Sequence, residues 1–249
     1  MPRIEKITDL NSLVEAHLHL VEVRQKREQW WRGQSLPWKL VPKIFRGNLA
    51  PHEHNLTLRF TSKAKPRHTS TPNFDDITAW LFLMQHYGLP TRLLDWSASP
   101  LVALFFAVRE EKDHSEPGVI WALDPAALNR NQHNLNAALG SRYPLVTEAA
   151  GDALRVPVDK KNTKVLSVLP EQTDIRHLVQ STSFTLHGLP TPLEELPDSD
   201  TFLTKFEIPA TAKQFFHHIL ADFQISESNL FPDLENLAKE LISKDYKIG

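Results

Sequence analysis

Apolar and polar positions follow several distinct rhythms along this chain, and each rhythm predicts a different element. Residues 10–23, LNSLVEAHLHLVEV, set Leu13, Val14, His17, Leu18, Leu20 and Val21 on one side at helical spacing, with Asp9 or Asn11 as cap. An amphipathic N-terminal helix is expected over about 9–25. In residues 29–46 the apolar positions Trp30, Trp31, Trp38, Leu40, Val41, Ile44 and Phe45 are interrupted by Gly33, Pro37 and Pro42, which predicts a strand, a turn and a second extended piece. Residues 52–63 read as a helix and KPRHTSTP at 65–72 as a loop. After Asn73 as cap, with Asp75 and Asp76 in the first turn, a helix should bury Phe74, Ile77, Trp80, Leu81 and Met84 and end at Gly88 and Pro90.

Residues 91–96 form a short apolar run carrying Arg92 and Asp95. Ser99 followed by Pro100 has the form of a cap and first turn, and LVALFFAV after it is apolar on every side, so that helix should be buried. GVIWAL at 118–123 reads as a central strand, with further strands at 165–169, 183–187 and 202–208 and helices over about 209–243. Between 124 and 164 the pattern weakens into helix fragments and polar loops. With no repeat and no long linker, the fold class expected is α+β: a single mixed domain over 1–249, helices packed on a sheet of five or more strands.

Composition narrows the function classes. The chain has 249 residues, 41% of them hydrophobic, which is ample for a core. The absence of cysteine removes disulfides, thiolate metal sites and cysteine nucleophiles, and it fits a reducing, cytoplasmic setting. No run approaches the roughly 18 apolar residues that span a bilayer, so no membrane partner is expected. A net charge of -2 gives no bulk attraction to nucleic acid, yet residues 24–67 hold eleven Lys or Arg against two Glu. That basic stretch is either solvated surface or a groove for phosphates.

Two segments concentrate polar chemistry. In residues 85–96, QHYGLPTRLLDW, the groups His86, Tyr87, Arg92, Asp95 and Trp96 gather where a helix turns into a strand. Asp95 lies among Leu93, Leu94 and Trp96 and needs a partner to stay ionised, which Arg92 or Arg32 can supply. Such a pair is either a structural lock or part of a binding site. In WRGQ at 31–34, Arg32 offers a planar fork suited to phosphate, Gly33 permits close approach, and Gln34 adds an amide. The twelve histidines show no H-x-x-x-H spacing, and no Walker loop, G-x-G-x-x-G or G-x-S-x-G occurs, so no metal is expected and the standard nucleotide loops are excluded.

WRGQ and the later IFRG, then QHYGLPTRLLDWSASPLVALFFA, RHLVQSTSFTLHG, IPATAKQ and LFPDLENLAK occur in an order that resembles the FRG domain family, from about residue 7 to 240. That resemblance implies a bacterial or phage-associated domain with a role in antiviral defence or toxicity, and supplies no reaction. The outline is also similar to ADP-ribosyltransferases of the arginine-serine-glutamate type: a strand with the arginine, a strand ending in the serine motif, a helix, a strand, and a loop with the glutamate. On that similarity Arg32 takes the arginine's place, Ser97 and Ser99 in DWSAS the serine motif's, and residues 100–108 and 119–123 those of the helix and strand. Gln180, just before the strand containing Phe184, stands where the glutamate is expected. Because a glutamine has no carboxylate, Asp95 or Glu148 would have to face an oxocarbenium-like centre.

The similarity thus implies a nucleotide-binding ADP-ribosyltransferase or NAD glycohydrolase with NAD as substrate and a protein or nucleic-acid target. Its catalytic set is Arg32, His86, Asp95 and Gln180, and its binding set is Arg32, Gln34, Tyr87, Arg92, Trp96, Ser97, Ser99 and Phe184. Two other readings stand beside it. One is a nucleic-acid-binding module using the basic first third, with Trp30, Trp31 and Trp38 as stacking faces. The other is a non-enzymatic interaction or sensor domain in which Arg32 and Asp95 are scaffold. Convergence of Arg32, His86, Arg92, Asp95 and Gln180 on one open cleft would separate a site from architecture.

Overall fold

Seven strands form one sheet in the computed structural model, which describes residues 5–67, 71–110, 113, 115–154, 163–170 and 182–231. They are β1 (Trp30–Gln34), β2 (Leu93–Ser97), β3 (Gly118–Leu123), β4 (Leu139–Gly140), β5 (Val165–Leu169), β6 (Thr182–His187) and β7 (Leu203–Ile208). Their order across the sheet is β4-β5-β6-β2-β1-β3-β7, with β4 parallel to β5 and every other neighbouring pair antiparallel. The helices are α1 (Leu10–Val23), α2 (Glu53–Ala64), α3 (Ile77–His86), α4 (Pro100–Val108), α5 (Pro125–His133), α6 (Pro144–Gly151), α7 (Ala210–Asp222) and α8 (Glu227–Leu230). The architecture is α+β, as expected.

Local chemistry explains most boundaries. Asp9 caps α1 in a reciprocal box with Ser12, its Oδ1 accepting from the Ser12 amide at 2.8 Å. The buried stripe of α1 is Leu13, Ala16 and Leu20, while Val14 and Leu18 face outward. Asp76, rather than Asn73, caps α3 by accepting from the Ala79 amide; the Asn73 carbonyl instead accepts from the Trp80 indole at 3.0 Å. The helix therefore starts at Ile77, and Phe74 is exposed ahead of it rather than buried on its face. Ser99 and Pro100 open α4 as predicted. The expected second extended piece near 38–45 joins no strand: Pro37 and Pro42 break it, and Lys43–Phe45 is a 3-10 turn. The helix expected at 230–241 lies outside the described residues beyond Phe231.

One face of the sheet carries a continuous core of Trp30, Leu94, Trp96, Val119 and Trp121. The other face carries two cores. Under α1, α4 and α7 lie Trp31, Ile120 and Phe206; under α3 and α6 lie Leu93, Phe184 and Leu186. The helix α4 sits directly on β1, and Gly33 is what permits it: a Cβ there would stand 1.7 Å from the Ala103 carbonyl oxygen. No helix among the described residues is long and apolar enough to cross a membrane.

Candidate functional site

The middle of the sheet is split. β1 and β2 are neighbours, yet their register contains the single pair Trp31 and Ser97, whereas β1 pairs along its length with β3 and β2 with β6. Past that pair Arg32 Nη1 reaches across and donates to the Asp95 carbonyl oxygen at 2.7 Å, so a side chain takes the place of a ladder amide. A cleft of about 810 Å³ opens here, lined by Arg32, Gln34, Gln85, Asp95, Ser97 and Thr182 among others. That volume is in the upper part of the roughly 300–1,000 Å³ range of small-molecule sites.

The polar groups of the cleft form an ordered chain. Thr91 Oγ1 donates to Gln85 Oε1 at 2.6 Å, and Gln85 Nε2 donates to Asp95 Oδ2 at 2.8 Å. Asp95 Oδ2 lies 4.0 Å from Arg32 Nη1, and the carboxylate is about half exposed, at 47%. Arg32 is more enclosed, and its Nε is buried with no hydrogen-bond partner among the described residues. Burial pulls the Arg32 pKa down, the Asp95 carboxylate opposes this, and Arg46 adds to the lowering. Arg46 is lowered in the same way by burial and is likewise supported by Asp95. Lys43 and Arg46 also line the cleft, and Arg32 and Arg46 both feel the Asp95 charge. An anion is the natural complement.

The far end is built differently. Arg109 lies over the Phe106 ring at 5.2 Å and pairs with Glu110 at 3.1 Å. Ser35 Oγ donates to Asp113 Oδ2 at 2.7 Å. The buried Lys213 donates from Nζ to the carbonyls of Ser35 and Asp113 at 2.6 and 2.7 Å, tying this end to α7. Burial lowers the Lys213 pKa, against the pull of Asp113 and Glu116.

Of the residues singled out from sequence, the cleft brings together Arg32, Gln34, Asp95, Trp96 and Ser97. Gln34 is held there by the Trp121 indole, which donates to its Oε1 at 2.9 Å, and Trp96 by its own indole, which donates to Thr185 Oγ1 at 3.1 Å. His86 and Tyr87 are not among the lining residues; their rings meet edge to face at 4.9 Å, with Tyr87 exposed. Ser99 caps α4 instead of facing the cleft, its Oγ accepting from the Val102 amide at 3.4 Å. Phe184 is core, stacked on Phe82 at 4.9 Å. Arg92, expected to bind ligand or pair with Asp95, is fully buried and pairs with Glu53. Glu148 is exposed on α6, away from the cleft lining, and Gln180 lies outside the described residues. Trp30 and Trp31 are buried and present no stacking face, while Trp38 is exposed and lines the cleft.

Gln85, Lys43, Arg46 and Thr182 are site residues that the sequence reading did not select. Gln85 opens the QHYG block and Arg46 stands in IFRG, so both lie inside motif blocks. Thr182 also stands in a motif block, RHLVQSTSFTLHG, but nothing local marks it as a site residue. It reaches the cleft because β6 pairs with β2, setting Thr182 opposite Ser97, and its Oγ1 is buried without a partner among the described residues.

The FRG domain family model matches residues 27–116. Every cleft-lining residue except Thr182 and Phe231 lies within that match. No curated protein and no solved structure matches the chain.

Proposed function

We propose that the cleft, most of whose lining lies in the stretch matched by the FRG domain family model, binds NAD and cleaves its nicotinamide–ribose bond, passing ADP-ribose to water or to a target. One observation carries the reading: a partly buried arginine, its Nε enclosed and without a partner among the described residues, stands in the split between β1 and β2, beside a half-exposed carboxylate and two hydroxyl side chains. The chain order also supports it. A strand with Arg32, a strand ending at Ser97, the helix α4 and the strand β3 follow one another as in ADP-ribosyltransferases of the arginine-serine-glutamate type. Arg32 and Ser97, far apart in sequence, line one cleft.

Arg32, with Lys43 and Arg46, holds the pyrophosphate, since guanidinium forks bind two oxygens at once. Ser97 and Thr182 face the nicotinamide ribose. The bond from C1′ to the nicotinamide nitrogen breaks with its electron pair remaining on that nitrogen. Asp95, positioned by Gln85, faces the positive charge that develops on the ribose. A water or an acceptor hydroxyl then bonds C1′ and gives up its proton. Gln85 and Asp95 thus do the work for which sequence order offered Gln180. In a cell this chemistry drains NAD or marks a target, the behaviour of a toxin or antiviral-defence effector.

Incubation with NAD followed by product analysis tests the proposal. Nicotinamide should be released, and Arg32→Ala should reduce the rate by about a hundredfold or more, the scale for loss of a preorganised charge-stabilising donor. NAD binding without turnover sinks the enzymatic part. No NAD binding sinks the assignment of the cleft.

A further inference from the structure

On the exposed side of α2, Arg59 and Lys63 occur four residues apart, and Arg67 follows after four more, just past the helix end. With a rise of about 1.5 Å per residue, such cations stand roughly 6 Å apart along one face. All three are exposed, and none forms an ion pair among the described residues; their one side-chain hydrogen bond there is from Arg67 Nη1 to the Lys63 carbonyl at 2.8 Å. Between them lies a hollow of about 300 Å³ floored by Leu56, Phe60 and Leu89. Leu89 also lines the large cleft, so the two cavities adjoin.

From this juxtaposition we propose that α2 is a docking site for single-stranded nucleic acid, with phosphates on Arg59, Lys63 and Arg67 and one unstacked base in the Phe60 hollow. The repeating unit of a single strand is a phosphate followed by a flat, largely apolar base, and the surface alternates in the same way. The hollow holds roughly ten waters' volume, room for one planar group. A duplex keeps its bases stacked inside and has nothing to place there, whereas a single strand does. An acidic peptide satisfies the cations and leaves the hollow empty. The strand then runs past Leu89 toward the cleft. This assignment stands independently of what the cleft binds.

The test is fluorescence anisotropy with labelled single-stranded DNA and RNA 12-mers, the matching duplex and poly-glutamate, on the full chain without NAD. With three phosphate contacts, single-strand affinity should fall about twentyfold between 50 and 200 mM salt, given a slope of about -0.7 per contact. Arg59→Glu with Lys63→Glu should abolish measurable binding at the higher salt, and circular dichroism should report unchanged helix content. Phe60→Leu, which keeps the apolar packing, should weaken oligonucleotide binding about fivefold or more while leaving the salt slope in place. Binding that ignores the charge reversals overturns the proposal. So does equal affinity for the duplex, or preference for poly-glutamate.

Discussion

Arg92 is wholly buried and grips Glu53 through two parallel hydrogen bonds, Nε to Oε1 at 2.8 Å and Nη2 to Oε2 at 2.6 Å. A second buried carboxylate, Asp152, lies 3.9 Å from its Nη1. One arginine thereby joins β2's entry, the start of α2 and the segment after α6. Removing it takes a charge partner from two buried carboxylates, a change that costs about 3–5 kcal/mol. Arg92→Met should therefore lower the urea midpoint sharply, and Arg92→Lys should recover little, because an ammonium cannot reproduce the fork. A midpoint unchanged in Arg92→Met would show that the pair is not holding these elements together.

Gly33→Ala should be among the most damaging substitutions of a single methyl in this chain. The added Cβ would meet the Ala103 carbonyl oxygen at 1.7 Å, so α4 would have to move off β1. A loss of about 3 kcal/mol is expected from overpacking of this kind. Thermal unfolding checks it; Gly47→Ala is the control, since a Cβ there meets nothing and only the positive φ of 61° opposes it.

His187 sets a pH dependence. Burial first, then the charges of Arg32 and Arg92, push its pKa down to about 3, and its Nε2 lies 2.9 Å from Thr185 Oγ1. The unfolded chain takes up a proton near pH 6.5 that the folded chain refuses. The stabilisation is therefore complete above pH 6.5 and is lost progressively as pH falls from there toward about 3. By pH 5 the loss is about 2 kcal/mol from this group. Denaturant unfolding at pH 7 and pH 5 should show it, and His187→Gln should flatten the difference. An equal fall in the variant would assign the effect elsewhere.

Gln85→Leu removes the link between Thr91 and Asp95 while keeping the side chain's bulk. Asp95 loses a donor to a charged oxygen, worth about 1.5–3 kcal/mol. Under the proposed NAD-cleaving function, turnover should fall about tenfold or more, with the affinity of the Arg32 end retained. A rise in KM with kcat unchanged would place Gln85 in ground-state binding instead.

What the sequence disclosed depended on how local the determining forces are. The burial of α4 was legible because LVALFFAV leaves no polar face, and β3 because GVIWAL is apolar throughout. α5, PAALNRNQH, and the two-residue β4 carry too little apolar rhythm to be read. Residues 38–45 looked extended because Leu40 and Ile44 are apolar, but both are buried without a ladder. The site shows the same division. Arg32 and Asp95 were both visible, yet nothing local could decide that Arg32, 63 residues upstream, partners Asp95 while the nearby Arg92 turns to Glu53, 39 residues upstream. Thr182 enters by sheet register alone.

The lone ladder pair between Trp31 and Ser97 also has a mechanical meaning. The uninterrupted core on one face works like the spine of a book, and the two helical cores on the other are its covers, one on β1 and β3, the other on β2 and β6. The two covers meet at a seam held by that pair and by the Arg32 donation to the Asp95 carbonyl. A ligand that draws the Arg32 fork away from the Asp95 carbonyl would leave Trp31 and Ser97 as the single register pair across that seam.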